Sequence, residues 1–368
     1  MTNIDMKALR ERLHAGKLTR RELLQVSSAL GLTGLALTVL GCSPKPTAAP
    51  TEEAAISEAT AEKAEEVVQP AEKKYRAAYS SVGLAATWVA QGADTMKFFG
   101  DLLGIEWKVY DPAFSVDQQR KDMEDIAAQD WDFVAVHPLA IEAYVDPAKQ
   151  IISRGIPLID LDTKLAEDLD SLGIITFIEP DNVWMGEQVT KKLVEAMGYK
   201  GKIVHTQGML THTGAQGRAK GFHNVVDQYP DIEVVDETPA DWSTDKTRKI
   251  WEDLLVKYPD IKAGFFHNDD MALAGYEAIK AAGKEGQIVI GGIDGMPHAL
   301  QAVIDGKLLA TAVNPTGRIH GYGTWIGYFL ASGRDKPEDI PKFIRADGPL
   351  IDKEIAPGIL YLSTHLLI

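Results

Sequence analysis

Short apolar runs alternate with longer amphipathic stretches along the chain from Tyr75 onward. Most of these runs place apolar residues at consecutive positions, as a strand that is covered on both faces requires. The pattern predicts strands at residues 76–81, 107–111, 132–137, 156–162, 174–180, 202–207, 232–238, 263–268, 288–294 and 309–314.

The stretches between these runs have the period of amphipathic helices. Ile250, Trp251 and Leu254 fall on one face of a helix that Pro259 ends, and Gly283 suits the left-handed cap of another. Repeated strand–helix units predict a doubly wound α/β arrangement with parallel sheets. Because about five units are followed by about five more, we expect two such lobes.

Composition agrees with a two-lobed globular protein. The 368 residues are 45% hydrophobic, which is enough for sizeable cores. The formal net charge of -15 argues against nucleic acid as a partner, because a phosphate backbone requires a basic surface.

The N-terminal region has the pattern of an export signal. Basic residues precede an uncharged stretch at 26–40, which ends in "VLGCSP" at the only cysteine, Cys42. "TRRELL" resembles a twin-arginine signal, and "VLGC" resembles a bacterial lipobox in which Cys42 is lipidated. We therefore expect residues 1–41 to be removed and Cys42 to anchor the protein on the outer side of the cytoplasmic membrane.

The N-terminal region allows a second interpretation. The segment read as an export signal also has the outline of a helix-turn-helix, but its second helix, "LALTVL", has no side chain that reads bases or phosphates. Residues 42–74 are rich in Ala, Glu, Pro, Thr and Ser, which predicts a disordered tether between the anchor and the lobes.

Polar side chains follow the predicted strands, at the edge where parallel sheets bind ligands. One example is "GFFHNDDMALAG", where His267, Asn268, Asp269 and Asp270 separate a strand from a helix. We expect Asp269 or Asp270 to cap that helix, which leaves Asn268 for a ligand. Asp294 has two possible roles, since it can bind a ligand or cap the helix that Pro297 opens.

The strand-end residues and several motifs resemble the ribose-type periplasmic sugar-binding proteins that serve ABC transporters. The motifs include "IPLIDLD", "EPDNVWMG", "GRAKGF", "PADWSTDK", "FFHNDDMALAGYEAI" and "NPTGRIHG", and the resemblance covers residues 75–368. It implies an N-terminal lobe of residues 75–180 plus 315–345 and a C-terminal lobe of 181–314 plus 346–368. It also implies a three-segment hinge near 178–182, 313–316 and 344–347.

The resemblance implies a set of ligand-binding residues. Stacking aromatics are expected at Trp88 and Trp242, and hydrogen-bonding groups at His137, Asp162, Gln216, Arg218, Asn268, Asp294 and Asn314. Thr163 and His137-Pro138 depart from the residues usual in ribose binders, so a hexose, a pentose or a polyol remains open.

These residue types suit a neutral sugar. Carboxylates accept hydrogen bonds from hydroxyl groups, amides donate and accept at once, and indoles cover the apolar faces of a sugar ring. The histidine spacing indicates no metal site, and the glycines of "GGIDG" do not match a nucleotide-binding motif, so no cofactor is expected.

The resemblance predicts a monomeric solute-binding protein, not an enzyme, that takes up a neutral monosaccharide or polyol and meets a transporter permease. Two alternatives stay open at this point. The same fold and pocket serve chemotaxis receptors and sensor kinases, and a glycosidase would use Asp162 and Asp294 as its pair of carboxylates.

Overall fold

The computed structural model of the protein describes residues 74–365. The predicted export signal of residues 1–41, the lipidation site Cys42 and the tether up to residue 73 lie outside the described part. Within that part, no helix combines the length and the apolar character needed to cross a membrane.

The first half of the described chain alternates strands and helices as the pattern predicts. Its elements are β1 (Tyr75–Ser80), α1 (Thr87–Leu103), β2 (Ile105–Tyr110), α2 (Val116–Ala127), β3 (Phe133–Val136), α3 (Val145–Ser153), β4 (Leu158–Leu161), α4 (Leu169–Leu172) and β5 (Phe177–Glu179).

The second half repeats this alternation. Its elements are α5 (Asn182–Ala196), β6 (Gly201–Thr206), α6 (Thr213–Val226), β7 (Ile232–Asp236), α7 (Thr244–Lys257), β8 (Ile261–Phe266), α8 (Asp269–Ala281), β9 (Val289–Asp294), α9 (Pro297–Ile304) and β10 (Ala310–Val313). After these come α10 (Thr316–Ala331), a 3-10 turn (Pro337–Asp339), β11 (Phe343–Arg345), β12 (Leu350–Asp352) and α11 (Ala356–His365).

The strands form two sheets with the same topology. Their orders are β11-β5-β4-β3-β1-β2 and β12-β10-β9-β8-β6-β7. The predicted doubly wound α/β fold is therefore confirmed, and each predicted strand is present. The structure adds the three-residue strands β11 and β12, and β12 runs antiparallel to β10, so the second sheet is not wholly parallel.

Three segments connect the two sheets: the one between β5 and α5, the one between β10 and α10, and the one between β11 and β12. Helix α10 packs on α1, β3 and β4, so it covers the first sheet although it follows the last long strand of the second. Helix α11 packs on α9 beside the second sheet.

Equivalent loops follow β2 and β7 and bring an aromatic residue to the gap between the sheets. Ser115 and Ser243 cap the next helices by accepting hydrogen bonds from Gln118 N and Lys246 N. The residues just before these caps, Phe114 and Trp242, each have a φ of 62°. Left-handed backbone at a bulky residue is strained and is found mostly at functional sites.

Candidate functional site

A cavity lies where the carboxyl ends of the two sheets face each other. The predicted site residues that line it are Trp88, His137, Asp162, Arg218, Trp242, Asn268, Asp294 and Asn314. Both sheets contribute, so a molecule in the cavity would contact both lobes.

Asp162 follows β4 and is 2% exposed, with a left-handed φ of 62°. Its Oδ1 accepts a hydrogen bond from Asn314 Nδ2 at 3.1 Å, and its Oδ2 lies 3.3 Å from His137 Nε2. Burial favours the neutral carboxyl, but the close approach of His137 and the charge of Arg218 outweigh it and lower the pKa of Asp162. Asp162 is therefore an ionised hydrogen-bond acceptor at neutral pH.

Asp294 ends β9 on the opposite side of the cavity. Burial raises its pKa well above the ordinary value, although the nearby charge of Arg218 acts in the other direction. The Arg218 Nη2 atom is 3.8 Å from Asp294 Oδ1, and Arg218 also donates hydrogen bonds to Asn182 Oδ1 and the His267 carbonyl. Arg218 thus connects the site to the scaffold of its lobe.

The helix cap in the "HNDD" stretch is Asn268, which corrects the expectation that Asp269 or Asp270 fills this role. Asn268 has the extended backbone of a capping residue, and its Oδ1 accepts from Met271 N at 2.9 Å. Asp269 and Asp270 are already inside α8. Asn268 lines the cavity as well, so its side-chain NH₂ is the group left for a ligand.

Asp294 does not cap the helix that Pro297 opens. The residue at the cap position of α9 is Met296, whose side chain makes no capping hydrogen bond. Asp294 has a φ of 130°, a value that an L-residue rarely adopts. The capping explanation is thereby removed, and the position of Asp294 in the cavity wall is what remains.

Buried polar atoms without a hydrogen-bond partner occur in several parts of the described structure, and three of them belong to the cavity residues His137 and Asn314. Among the described residues, neither ring nitrogen of His137 makes an aligned hydrogen bond, and Asn314 Oδ1 has no partner. His137 and Asn314 are both 2% exposed. Because buried polar groups left unpaired are costly, these atoms indicate a site that a polar ligand completes.

Two indoles form apolar parts of the wall. Trp88 is 5% exposed, and its Nε1 donates to the Asn314 carbonyl at 2.9 Å. Trp242 is half-buried against Gly208, and its ring lies 5.6 Å from the Arg218 guanidinium carbon. These flat surfaces suit the C–H faces of a sugar.

The structure does not bring Gln216 to the cavity. Gln216 is exposed on α6, and its Nε2 donates to the Leu210 carbonyl at 2.9 Å. Arg218 occupies the buried face of the same helix, and residues two apart on a helix point in different directions. The resemblance predicted Gln216 from its position in the motif alone, which does not show which face of α6 the residue occupies.

Five cavity residues were missed by the sequence reasoning. Three are the apolar Val82, Ala86 and Val89, and the other two are His212 and Phe114. His212 follows β6 and caps α6, with its Nδ1 accepting from Ala215 N at 3.4 Å. It lies beyond the reach of the rule for polar residues at strand ends, because five residues separate it from the end of β6 at Thr206. Phe114 stands in "DPAFS", among turn-forming residues like those that drew attention to Trp242 in "PADWS".

Two groups of side chains place potential metal ligands within 4.8 Å of one another, and both are histidine-rich. The first, at the cavity, is His137, Asp162 and His212. Since His212 Nδ1 accepts a backbone hydrogen bond, the ring proton is on Nε2, and burial lowers the pKa of His212 to about 3. A ring nitrogen that carries a proton donates to a ligand and does not bind a metal.

The second group is His205, His223 and Glu237. Gly208 N donates to His267 Nδ1 at 3.0 Å, which leaves the ring proton of His267 on Nε2, 2.7 Å from His205 Nε2. His205 must accept there, so its own proton is on Nδ1 and donates to Glu237 Oε1 at 2.8 Å. This series of hydrogen bonds commits the ring nitrogens of His205 and therefore also opposes metal binding. The absence of a metal site stays a prediction.

The chain belongs to the periplasmic binding protein family, since residues 78–335 match the description "Periplasmic binding protein domain". Members of this family are binding proteins. The predicted resemblance to type I periplasmic sugar-binding proteins is thus confirmed.

Three known proteins illustrate the similarity. The ribose import binding protein of Bacillus subtilis is 31% identical over 208 residues, which are 56% of this chain and 66% of that protein, just under two thirds of its length. The xylitol-binding protein of Mycolicibacterium smegmatis is 29% identical over 256 residues, 69% of this chain and 72% of that protein. Among solved structures, the periplasmic binding protein component of the arabinose ABC transporter from Shewanella sp. ANA-3, bound to α- and β-L-arabinofuranose, has a TM-score of 0.71 and 26% identity. That alignment covers 78% of this chain and 94% of the other.

Proposed function

We propose that this protein captures a neutral monosaccharide or polyol between two lobes and delivers it to the permease of an ABC transporter. One observation carries the proposal: a cavity in which carboxylates, amides and indoles from both sheets meet. The relatives named for ribose, xylitol and arabinose support this ligand class.

The charges around the cavity favour an uncharged ligand. Asp162 is ionised, and Arg218 faces Asp294, whose pKa is raised by burial. One carboxylate and one guanidinium largely compensate each other, so a phosphate or carboxylate on the ligand would meet no surplus positive charge. Hydroxyl groups, which both donate and accept, suit the mixture of acceptors and donors.

We further propose that the lobes are residues 75–180 plus 315–345 and residues 181–314 plus 346–368. The three segments that connect the sheets would act as the hinge. A ligand that contacts both lobes stabilises the closed state by its higher affinity for that state. The closed, ligand-bound form is the one that a permease would recognise.

The proposed location is the outer side of the cytoplasmic membrane, with Cys42 as the lipid anchor and the folded monomer held on its tether. The lipobox-like "VLGC" and the preceding basic and apolar segments support this location. We propose that the protein binds its ligand without a cofactor and without converting it. Asn314 donates a hydrogen bond to Asp162 and His137 lies 3.3 Å from it, so this carboxylate is not presented as a free nucleophile.

A thermal-shift screen tests the ligand class, because a bound ligand raises the melting temperature by mass action. The panel should contain ribose, arabinose, xylitol, several hexoses and the phosphate ester of one pentose. We expect at least one neutral sugar or polyol to stabilise the protein, and the ester to have no effect. A response to none of the neutral compounds would contradict the proposal, and calorimetry then measures the affinity of any compound that binds.

A further inference from the structure

Helix α1 begins at the edge of the cavity without a cap from its own sequence. The cap position is Ala86, whose side chain makes no capping hydrogen bond, and the first turn of α1 contains no acidic residue. The first backbone N–H groups of a helix have no partner inside the helix, and its N-terminus carries a partial positive charge. A carboxylate near this end would therefore be stabilising.

The other lobe supplies that carboxylate. Asp270 Oδ2 accepts a hydrogen bond from Thr87 N at 3.0 Å, and the Thr87 hydroxyl lies 2.9 Å from Oδ1 and 3.1 Å from Oδ2. Thr87 is the first residue of α1, on the first sheet, and Asp270 is in the first turn of α8, on the second. The carboxylate of Asp270 thus lies at the N-termini of two helices from different lobes.

His298 holds this carboxylate from the side of its own lobe. His298 Nε2 lies 3.0 Å from Asp270 Oδ1, and since a carboxylate only accepts, this nitrogen carries the proton. Burial opposes the ionisation of Asp270, but hydrogen bonds from His298 and Thr87 outweigh it and lower the pKa of Asp270. The side chain of Asp270 is 14% exposed, so these bonds are partly shielded from water.

We propose that Asp270 is a closure clasp: it caps α1 across the cleft and sets ligand affinity without touching the ligand. The inference rests on the proposed function, because the clasp acts on ligand affinity through the equilibrium between separated and closed lobes, which the ligand-free protein also samples. When the lobes separate, Thr87 N–H returns to water while Asp270 keeps His298. Apparent affinity scales with the fraction of closed protein, so losing the clasp weakens binding even though every residue at the cavity is intact.

A double-mutant cycle across the cleft tests the clasp. Thr87→Val removes the hydroxyl but keeps the shape, and Asp270→Asn removes the charge but keeps the size. Hydrogen bonds to a charged group support an expected loss of roughly tenfold in affinity for Asp270→Asn, measured by calorimetry with the sugar that the screen identifies. We expect the double variant to bind no more weakly than Asp270→Asn alone, because both changes remove the same interaction.

The matched control is Asp245→Asn, which alters an exposed acid in the first turn of the neighbouring helix α7. It should bind like the wild type, and melting temperatures show whether each variant is folded. Unchanged affinity in Asp270→Asn, or effects of the two substitutions that simply add, would overturn the clasp.

Amide hydrogen exchange separates this inference from the proposed function, because it needs no known ligand. In the wild-type protein, the first turn of α1 should exchange more slowly than in Asp270→Ala. Equal exchange in the two proteins would contradict the clasp. If no sugar binds the wild type, the proposed function fails, and this comparison still decides whether Asp270 caps α1.

Discussion

Gly208→Ala should damage the cavity through Trp242 without altering any polar group of the site. A Cβ atom at residue 208 would lie 2.2, 2.3 and 2.5 Å from three carbons of the Trp242 ring, whereas ordinary contacts are 3.4–4 Å. The ring would have to move by more than about 1 Å. Two other cavity residues border this ring: the His212 ring centroid lies 5.2 Å from it and the Arg218 guanidinium carbon 5.6 Å from it, so a shifted ring disturbs the cavity wall.

Overpacking of this kind costs typically about 1–3 kcal/mol, which corresponds to roughly 5- to 150-fold in affinity if the bound state meets the full cost. Calorimetry with the sugar from the thermal-shift screen measures the loss. Gly358→Ala is the control, because no heavy atom of the described residues lies within 4 Å of the added Cβ. A folded Gly208→Ala protein that binds as tightly as the wild type would refute the position of Trp242 in the ligand site.

Three further predictions test other parts of the site. Asp294→Ala should reduce affinity on the order of tenfold or more, because it leaves ligand hydroxyls without their acceptor, and calorimetry checks it. Gln216→Ala should leave the affinity unchanged, since this side chain is exposed and bonds to the Leu210 carbonyl. The hydrogen bond with His205 lowers the pKa of Glu237 to about 2, so its stabilising effect should be present above about pH 4.5 and be lost as the pH falls towards 2. Melting curves against pH should show a smaller acid-induced decrease in Glu237→Gln, and an identical decrease in both proteins would contradict the prediction.

Much of the cavity was predictable because one topological rule covers it. In parallel sheets the carboxyl ends of all strands meet at one edge, so a polar residue after an apolar run is placed without knowledge of packing. Asp162 after β4, Asn268 after β8 and Asp294 at the end of β9 were found in this way. The rule needs only strand positions, and the continuous apolar runs define those well.

The features that the sequence did not predict depend on the backbone angles within a turn, which decide where each side chain points. Asn268, Asp269 and Asp270 are all chemically able to cap a helix, and the backbone angles decide that Asn268 does so. Asp270 is then free to reach Thr87 on the other lobe, a contact that no local pattern contains. Strands β11 and β12 are three residues long and, unlike the equally short β5, do not lie in a longer apolar run.

The repeated topology explains why the cavity has an aromatic residue on each side. The loops after β1 and β6 contain Gly83 and Gly208, and those after β2 and β7 contain Phe114 and Trp242. A Cβ on Gly83 would lie 2.6 Å from the Phe114 ring, as a Cβ on Gly208 would lie 2.2 Å from Trp242. Because the strand order is the same in both sheets, each aromatic ring lies against the glycine of the neighbouring loop.

Phe114 and Trp242 occupy corresponding places in the two lobes and share the same left-handed backbone. Both line the cavity, one from each side. Trp88 also lines it, but its indole N–H is already bonded to the Asn314 carbonyl near the segment that connects the sheets. Phe114 is accordingly the structural counterpart of Trp242 in the cavity wall, and Trp88 joins that wall to the connecting segment.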